Sequence, residues 1–427
     1  MTTAIFFIAR LGKVDELVKS PQGRHSRERG SPWLGSSLLL THVYVGWMSG
    51  PVLRYGNRER KEEMMEVKEI AVIGGGNGAI TTAGDMTLAG FNVRMWTAFP
   101  DEYGPIYDTG KVRLKGLGKT GDAKVALVTR DLGKAIRGAR IICSPSPAFA
   151  QEELAKRLGP HLEDGQILLL SPGSLGGYVF AKTFHALGIK KNICIAEPGT
   201  LPYLTRKIAS DEVLVSGHAV RLPVGIFPAG KTDDAIALLR EIYPAIHAVE
   251  DILSVALLNV GPIIHSVLML LNTGPIEHFE SWDIHNEGTT KSVKKLILSH
   301  DAERVRIRKA LGYTSHHYPF SDHYDQNSKE EWMYGRKAHA DLVESESWRE
   351  SLGFDFRYIT EDVKCNLALL CSIADWAGVD APIAHSLLTL LGEVVGEDFS
   401  RSGRTLDRLG LGGMSIEEVK GLLHAGF

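Results

Sequence analysis

Short apolar runs separated by helical spacing dominate the chain from Glu66 onward. "EIAVIGG" reads as a strand, followed by a small-residue helix to Leu88 and a second strand, "FNVRMWT". "KVALVT", "RIICS", "QILLLS" and "NICIA" continue the pattern, most of them separated by helical stretches such as 148–159 and 178–187. Repeated β-α-β units of about 30 residues predict a parallel sheet with helices on both faces. "VLVSG" and "LPVGIFPAG" extend that sheet, before the helix "DDAIALLREIY" and a last strand near Ala248.

After Asp251 the strand-like runs stop. "DILSVALLNV", "TKSVKKLILSHDAERVRIRKALG", "DVKCNLALLCSIADWAG" and "PIAHSLLTLLGEVVG" carry helical periodicity. Pro382 suits a first helical turn, and Ser415 with Glu418 spells a capping box for the last helix. The predicted fold is therefore α/β. An N-terminal Rossmann-like parallel-sheet domain covers 66–250, and an all-helical C-terminal domain covers 251–427. Residues 313–353 read as a polar, aromatic excursion of loop and short helices. One apolar stretch, "SVALLNVGPIIHSVLMLLNTG" (254–274), is interrupted by Asn259, Gly261, Pro262 and His265, so Pro262 should break or bend it.

Residues 1–65 differ from the rest, with basic, turn-rich runs ("PQGRHSRERGSP", "YGNRERKEE") around one apolar stretch, Leu38 to Trp47. That stretch is too short to span a bilayer. An extension without a stable fold is the expected state; a basic transit peptide and a start upstream of Met64–Met65 are the other readings. Composition adds little: 427 residues suit two domains, and a net charge of −3 gives no reason to expect nucleic acid or an anionic membrane as partner. The four cysteines match no metal or redox spacing, which predicts reduced thiols and a cytoplasmic protein. His316, His317, His323 and Asp325 match no metal pattern either, so no metal is expected.

The candidate chemistry begins at Gly74-x-Gly76-x-x-Ala79, directly after a strand and opening a helix. Gly74 permits the tight turn, Gly76 lets the backbone approach a pyrophosphate, and Ala79 permits close helix–strand packing. Gly75, Asn77 and Gly78 complete the turn. An acid usually ends the second strand to hold the ribose of NAD. Here the position falls near Thr97, with Asp101 and Glu102 later and no basic cluster following, so NAD and NADP both remain open. "CSPSPAFA" (143–150) follows another strand. Pro145, Pro147 and Phe149 should border the cofactor, unless the loop is only a stiff connection.

Reactive groups must come from the helical half. His265 can move a proton if a carboxylate fixes its tautomer. Asp362, in "FRYITEDV", is expected at a helix start with Thr360 as cap, and Arg357 just upstream has the fork that grips a carboxylate. Each residue alone has a bland reading as core histidine, first-turn acid or surface cation.

Five motifs in order resemble the octopine/nopaline (opine) dehydrogenase family: "VIGGGNGA", "SPAFAQEELAKRLGPHLEDGQILLLSPG", "AEPGTLPYLTR", "NVGPIIH" and "RYITEDV". The resemblance covers residues 66 to 427. It implies NAD- or NADP-dependent condensation of an α-keto acid with the amine of an amino acid, at a site between a Rossmann and a helical domain. It places the catalytic histidine on His265, its aspartate partner on Asp362 and the substrate-carboxylate arginine on Arg357. Glu197 is expected near the cofactor and Thr200 near the substrate. Asn259 either contacts substrate or satisfies the carbonyl freed by Pro262. A bend at Gly261–Pro262 would aim His265 at the nicotinamide, and a homodimer is the family expectation. The N-terminal extension, Lys364–Cys365 and the 313–353 excursion depart from the family pattern. Two alternatives remain at this point: a keto- or hydroxy-acid reductase of the same two-domain plan, for which no equally placed lysine base is found, and a nucleotide-binding protein without catalysis.

Overall fold

A computed structural model describes residues 67–321, 333–334 and 349–427; the expectations for residues 1–65, His323 and Asp325 lie outside the described residues. Twelve strands are described: β1 (Glu69–Ile73), β2 (Asn92–Trp96), β3 (Lys111–Gly116), β4 (Gly121–Lys124), β5 (Leu127–Val128) and β6 (Ile141–Ser144). They continue with β7 (Ile167–Leu170), β8 (Cys194–Pro198), β9 (Tyr203–Ala209), β10 (Glu212–His218), β11 (Leu222–Phe227) and β12 (Ile246–Ala248). Eight of them form one sheet in the order β12-β11-β8-β7-β6-β1-β2-β5. All its pairings are parallel except β8 with β11. Every residue of β6 and β7 is buried, as expected of parallel strands covered on both faces, and this is why they read as unbroken apolar runs.

β1 lies between β2 and β6, so the strand order reverses there and a crevice opens at the carboxyl ends of β1 and β6. The glycine turn and the Pro145–Phe149 loop occupy those ends.

The extension of the sheet needs one correction. "LPVGIF" does extend it as β11, antiparallel to β8, but "VLVSG" belongs to β10 in a separate four-stranded sheet of order β4-β3-β10-β9. The physical signal is periodicity: β11 is buried along its whole length, whereas buried and half-buried residues alternate along β10. Alternation is the mark of a strand with one face away from the core. The Asn77–Leu88 helix packs against this second sheet, with Gly84 closed up against Leu114.

Beyond Asp251 the described chain is helical. Residues 252–271 do not form one bent helix. A short helix, Ile252–Ala256, ends, and a second, Gly261–Leu271, begins with Pro262 in its first turn, where a missing N–H costs nothing. The break frees carbonyls inside the core, and two buried arginines of the Lys291–Ala310 helix take them. Arg304 donates to Leu257 O (2.8 Å) and pairs with Asp301 (2.7 Å), while Arg308 donates to Ser254 O. On the same helix, Glu303 accepts the amides of Ile383 (3.0 Å) and Ala384 (2.9 Å), so it caps the Pro382–Val395 helix. Buried charge is tolerated here because each group is hydrogen-bonded. The Ser415–Glu418 capping box is present.

Asp362 also sits differently from the expectation. The helix starts at Tyr358 rather than after Thr360, and its first ten residues, Tyr358–Leu367, form a π-helix that runs on into Ala368–Trp376. Thr360 is inside it, its hydroxyl 3.5 Å from Phe356 O, and no side chain caps the start. Asp362 is therefore past the first turn, where the helix dipole helps little; its partner must come from another element.

Candidate active site

The glycine turn is built to admit a phosphate. Gly74 has φ +132°, which only glycine adopts without strain, and its N–H and C=O are fixed by Trp96 O (2.7 Å) and the Tyr103 hydroxyl (2.9 Å). A Cβ on Gly74 would lie 3.3 Å from the Ala79 methyl, and one on Gly78 would lie 3.2 Å from Pro145. Nothing lies within 4 Å of the position a Cβ on Gly76 would take, and no side chain caps the helix that begins there. Open space over uncapped amides at a helix N-terminus fits the pyrophosphate of a dinucleotide. Asn77 plays a different part from the expected one: its Oδ1 accepts the Lys207 amide (2.9 Å), tying the turn to β9. Thr97 is buried at the end of β2, Pro147 precedes a short 3-10 turn, and Phe149 is exposed.

His265 and Asp362, 97 residues apart in sequence, meet: Nδ1 and Oδ2 are 2.7 Å apart, with both side chains largely shielded from water. With Nδ1–H donating to the carboxylate, Nε2 is the atom left to take up or give a proton. Among the described residues Nε2 has no hydrogen-bond partner. Gly261 permits the meeting by close approach, since any Cβ there would strike Asp362 Oδ1.

Residues that the sequence reading missed either pack beside this pair or join its helix to the cofactor side. Tyr358 stacks on the His265 ring at 3.7 Å between centroids. Its hydroxyl donates to Glu350 (3.3 Å) and lies 3.1 Å from His285 Nε2. Burial, then the neighbouring His265 and Arg206, push His285 down to about 3, which keeps it neutral. Glu361 accepts the Ala148 amide at 3.3 Å, joining the π-helix to the loop beside the glycine turn; burial and then Asp362 push its carboxyl up. Tyr358 gave no signal in the sequence, because its partner His265 lies far away in the chain. Nor did Arg404. From the far end of the chain it donates to Ala148 O (2.7 Å), Gln151 Oε1 (2.9 Å) and Ser174 O (2.8 Å), so the helical half is fastened to the cofactor side by one guanidinium.

Arg357 stands just before the π-helix, exposed, and its guanidinium has no hydrogen-bond partner among the described residues. Partial desolvation acts to lower its pKa, but Glu361 and Asp362 outweigh this and hold the charge. Asn259 is occupied on both sides: Nδ2 donates to Gly173 O (3.2 Å) and Oδ1 accepts the Gly261 amide (2.9 Å). It braces the helix break and leaves the freed carbonyls to the arginines, so the reading of Asn259 as the group that satisfies a carbonyl freed by Pro262 does not hold. Thr200 Oγ1 pairs with the Tyr334 hydroxyl at 2.7 Å.

Glu197 is also corrected. It is wholly buried, accepting the amides of Ser174 (2.9 Å) and Gly177, so it shapes the loop after β7 from within and offers no atom to a cofactor. Burial pushes its carboxyl from 4.5 up to about 7. Between those values the folded chain holds a proton that the unfolded chain has lost, so stability falls as pH rises through this window. At about 1.4 kcal/mol per unit, the upper bound is about 3.5 kcal/mol. Thermal melts should show a lower Tm at pH 7.5 than at pH 5, with the difference reduced in Glu197→Gln. An identical profile for the variant rejects the assignment.

Fold and site together define a class: a Rossmann-type dinucleotide-binding domain joined to a helical domain that presents a histidine–carboxylate pair beside an exposed guanidinium. Comparison with known proteins narrows the class. A family profile described as "NAD/NADP octopine/nopaline dehydrogenase, alpha-helical domain" matches residues 248–395. An opine dehydrogenase from Arthrobacter sp. (strain 1C) is 29% identical over 362 residues, covering 84% of this chain and 99% of the relative. An octopine dehydrogenase solved with NADH and L-arginine superposes with a TM-score of 0.65 at 18% identity, covering 84% of this chain and 98% of that one. A yersinopine dehydrogenase with NADP+ bound gives a TM-score of 0.57 at 16% identity, with coverages of 84% and 98%. The chain is therefore similar to octopine/nopaline (opine) dehydrogenases in fold and along most of its length, and its residues 248–395 match the helical domain of that family.

Proposed function

We propose that the protein is an NAD(P)H-dependent opine dehydrogenase that joins the amine of an amino acid to an α-keto acid, or runs the reverse. The observation that carries this is the 2.7 Å contact of His265 with Asp362, whose charge also acts on the Arg357 guanidinium, a group with no hydrogen-bond partner among the described residues. Attack of the amine on the keto carbon and loss of water give an imine; protonation of its nitrogen and hydride delivery to that carbon leave a secondary amine. When bound, the nicotinamide supplies or accepts the hydride. His265 Nε2 gives a proton to the departing keto oxygen, and Asp362 supports the imidazolium that precedes this. Arg357 pairs with a substrate carboxylate and so orients the reacting carbon. The amides at Gly76 and the start of its helix hold the pyrophosphate.

The test is a panel of α-keto acids and amino acids with NADH and with NADPH. The expected result is cofactor oxidation that requires both substrates. Oxidation with the keto acid alone would make the protein a keto-acid reductase, and cofactor binding with no oxidation across the panel a nucleotide-binding protein. Its four free thiols favour the cytosol. The family homodimer is checked by sedimentation.

A further inference from the structure

The second strand ends without an acid, yet the fold returns one to that place. After Thr97 the chain turns through a 3-10 helix, Pro100–Tyr103, and the Tyr103 hydroxyl fastens this segment to Gly74 O at 2.9 Å. Glu102 is thereby brought back to the end of β2, where Thr97 Oγ1 donates to its Oε2 at 2.7 Å. Its carboxylate lies over the middle glycine of the turn: a Cβ on Gly75 would lie 2.7 Å from Glu102 Cβ and would strike Oε2. The neighbouring space over Gly76 stays open. The Lys207 ammonium donates to the Glu102 carbonyl at 2.8 Å, which holds the loop from the side of β9. The Arg130 guanidinium is drawn to the Tyr107 ring, 4.9 Å from its centroid. Among the described residues no ion pair neutralises the Glu102 carboxylate.

We propose that Glu102, from outside the second strand, receives the adenosine ribose hydroxyls and makes this chain selective for NAD(H) over NADP(H). The inference rests on the dinucleotide site of the proposed function. A carboxylate accepts hydrogen bonds from a ribose diol, and Thr97 aims it. Against a 2′-phosphate, which carries more than one negative charge, the same carboxylate is repulsive. At a few ångströms and the screening of a protein surface, the discrimination should be about 10- to 100-fold in Kd.

The experiment is direct binding of NADH and NADPH to the full-length protein by titration calorimetry, without substrates. Wild type should bind NADH at least about tenfold more tightly than NADPH. Glu102→Gln, which keeps an acceptor and removes the charge, should bring the two within about threefold, mainly by tightening NADPH. Glu102→Ala provides a second charge-free variant, and thermal melts check that both are folded. Equal or tighter NADPH binding by wild type overturns the proposal, and so does a ratio unchanged in both folded variants. The two readings fail separately. Selective NADH binding without amine-dependent turnover would reject the catalytic reading alone, whereas turnover restricted to NADPH would reject this one alone.

Discussion

Replacing His265 with alanine should lower kcat for amine-dependent NAD(P)H oxidation about 1,000-fold, because a positioned proton-transfer group contributes about 10²- to 10⁴-fold. Asp362→Asn should cost a similar factor for a different reason. The amide can still face Nδ1, but it carries no charge to support an imidazolium 2.7 Å away. Because the two act as one unit, the double variant should be no slower than the slower single variant within a few-fold. Cofactor affinity is the control and should stay unchanged, since neither residue touches the glycine turn. Steady-state kinetics on the three variants checks this, and single variants that both retain turnover within a few-fold of wild type sink the pairing.

Arg357→Ala should act mainly on KM. An exposed guanidinium with no hydrogen bond among the described residues is placed to meet a carboxylate. Removing one partner of such a charge-assisted pair costs about 2–5 kcal/mol, and its exposure puts this site at the lower end, about 30- to 100-fold. The loss should appear in KM for one substrate, with kcat reduced less. Arg357→Lys should recover only part of it, since an ammonium lacks the planar fork. If KM for both substrates stays within twofold of wild type, Arg357 does not hold the carboxylate.

What could be read from the sequence followed the range of the forces involved. The glycine turn is a local device, and its letters, with the buried strand before them, announced it. Strands buried on both faces announced the parallel sheet equally well. The second sheet was hidden because β10 alternates, and its partner β3 comes almost a hundred residues earlier in the chain. Thr360 looked like a helix cap, yet the helix begins before it, without a cap, as a wider coil that no periodicity rule anticipates. The meeting of His265 with Asp362 has no local signature; only the order of the family motifs hinted at it. Arg404, Tyr358 and Glu361 matter through contacts made after folding, which a linear reading does not register.

Gly261 owes its place to a neighbour's oxygen rather than to backbone strain, since it is absent from the positive-φ residues. A single added methyl at this position would have to push the acid off the imidazole. Evolution toward new amino-acid preferences must therefore leave position 261 alone and work on the rest of the pocket wall. Directed libraries that randomise this position would spend most of their members on proteins in which the contact between His265 and Asp362 is disturbed.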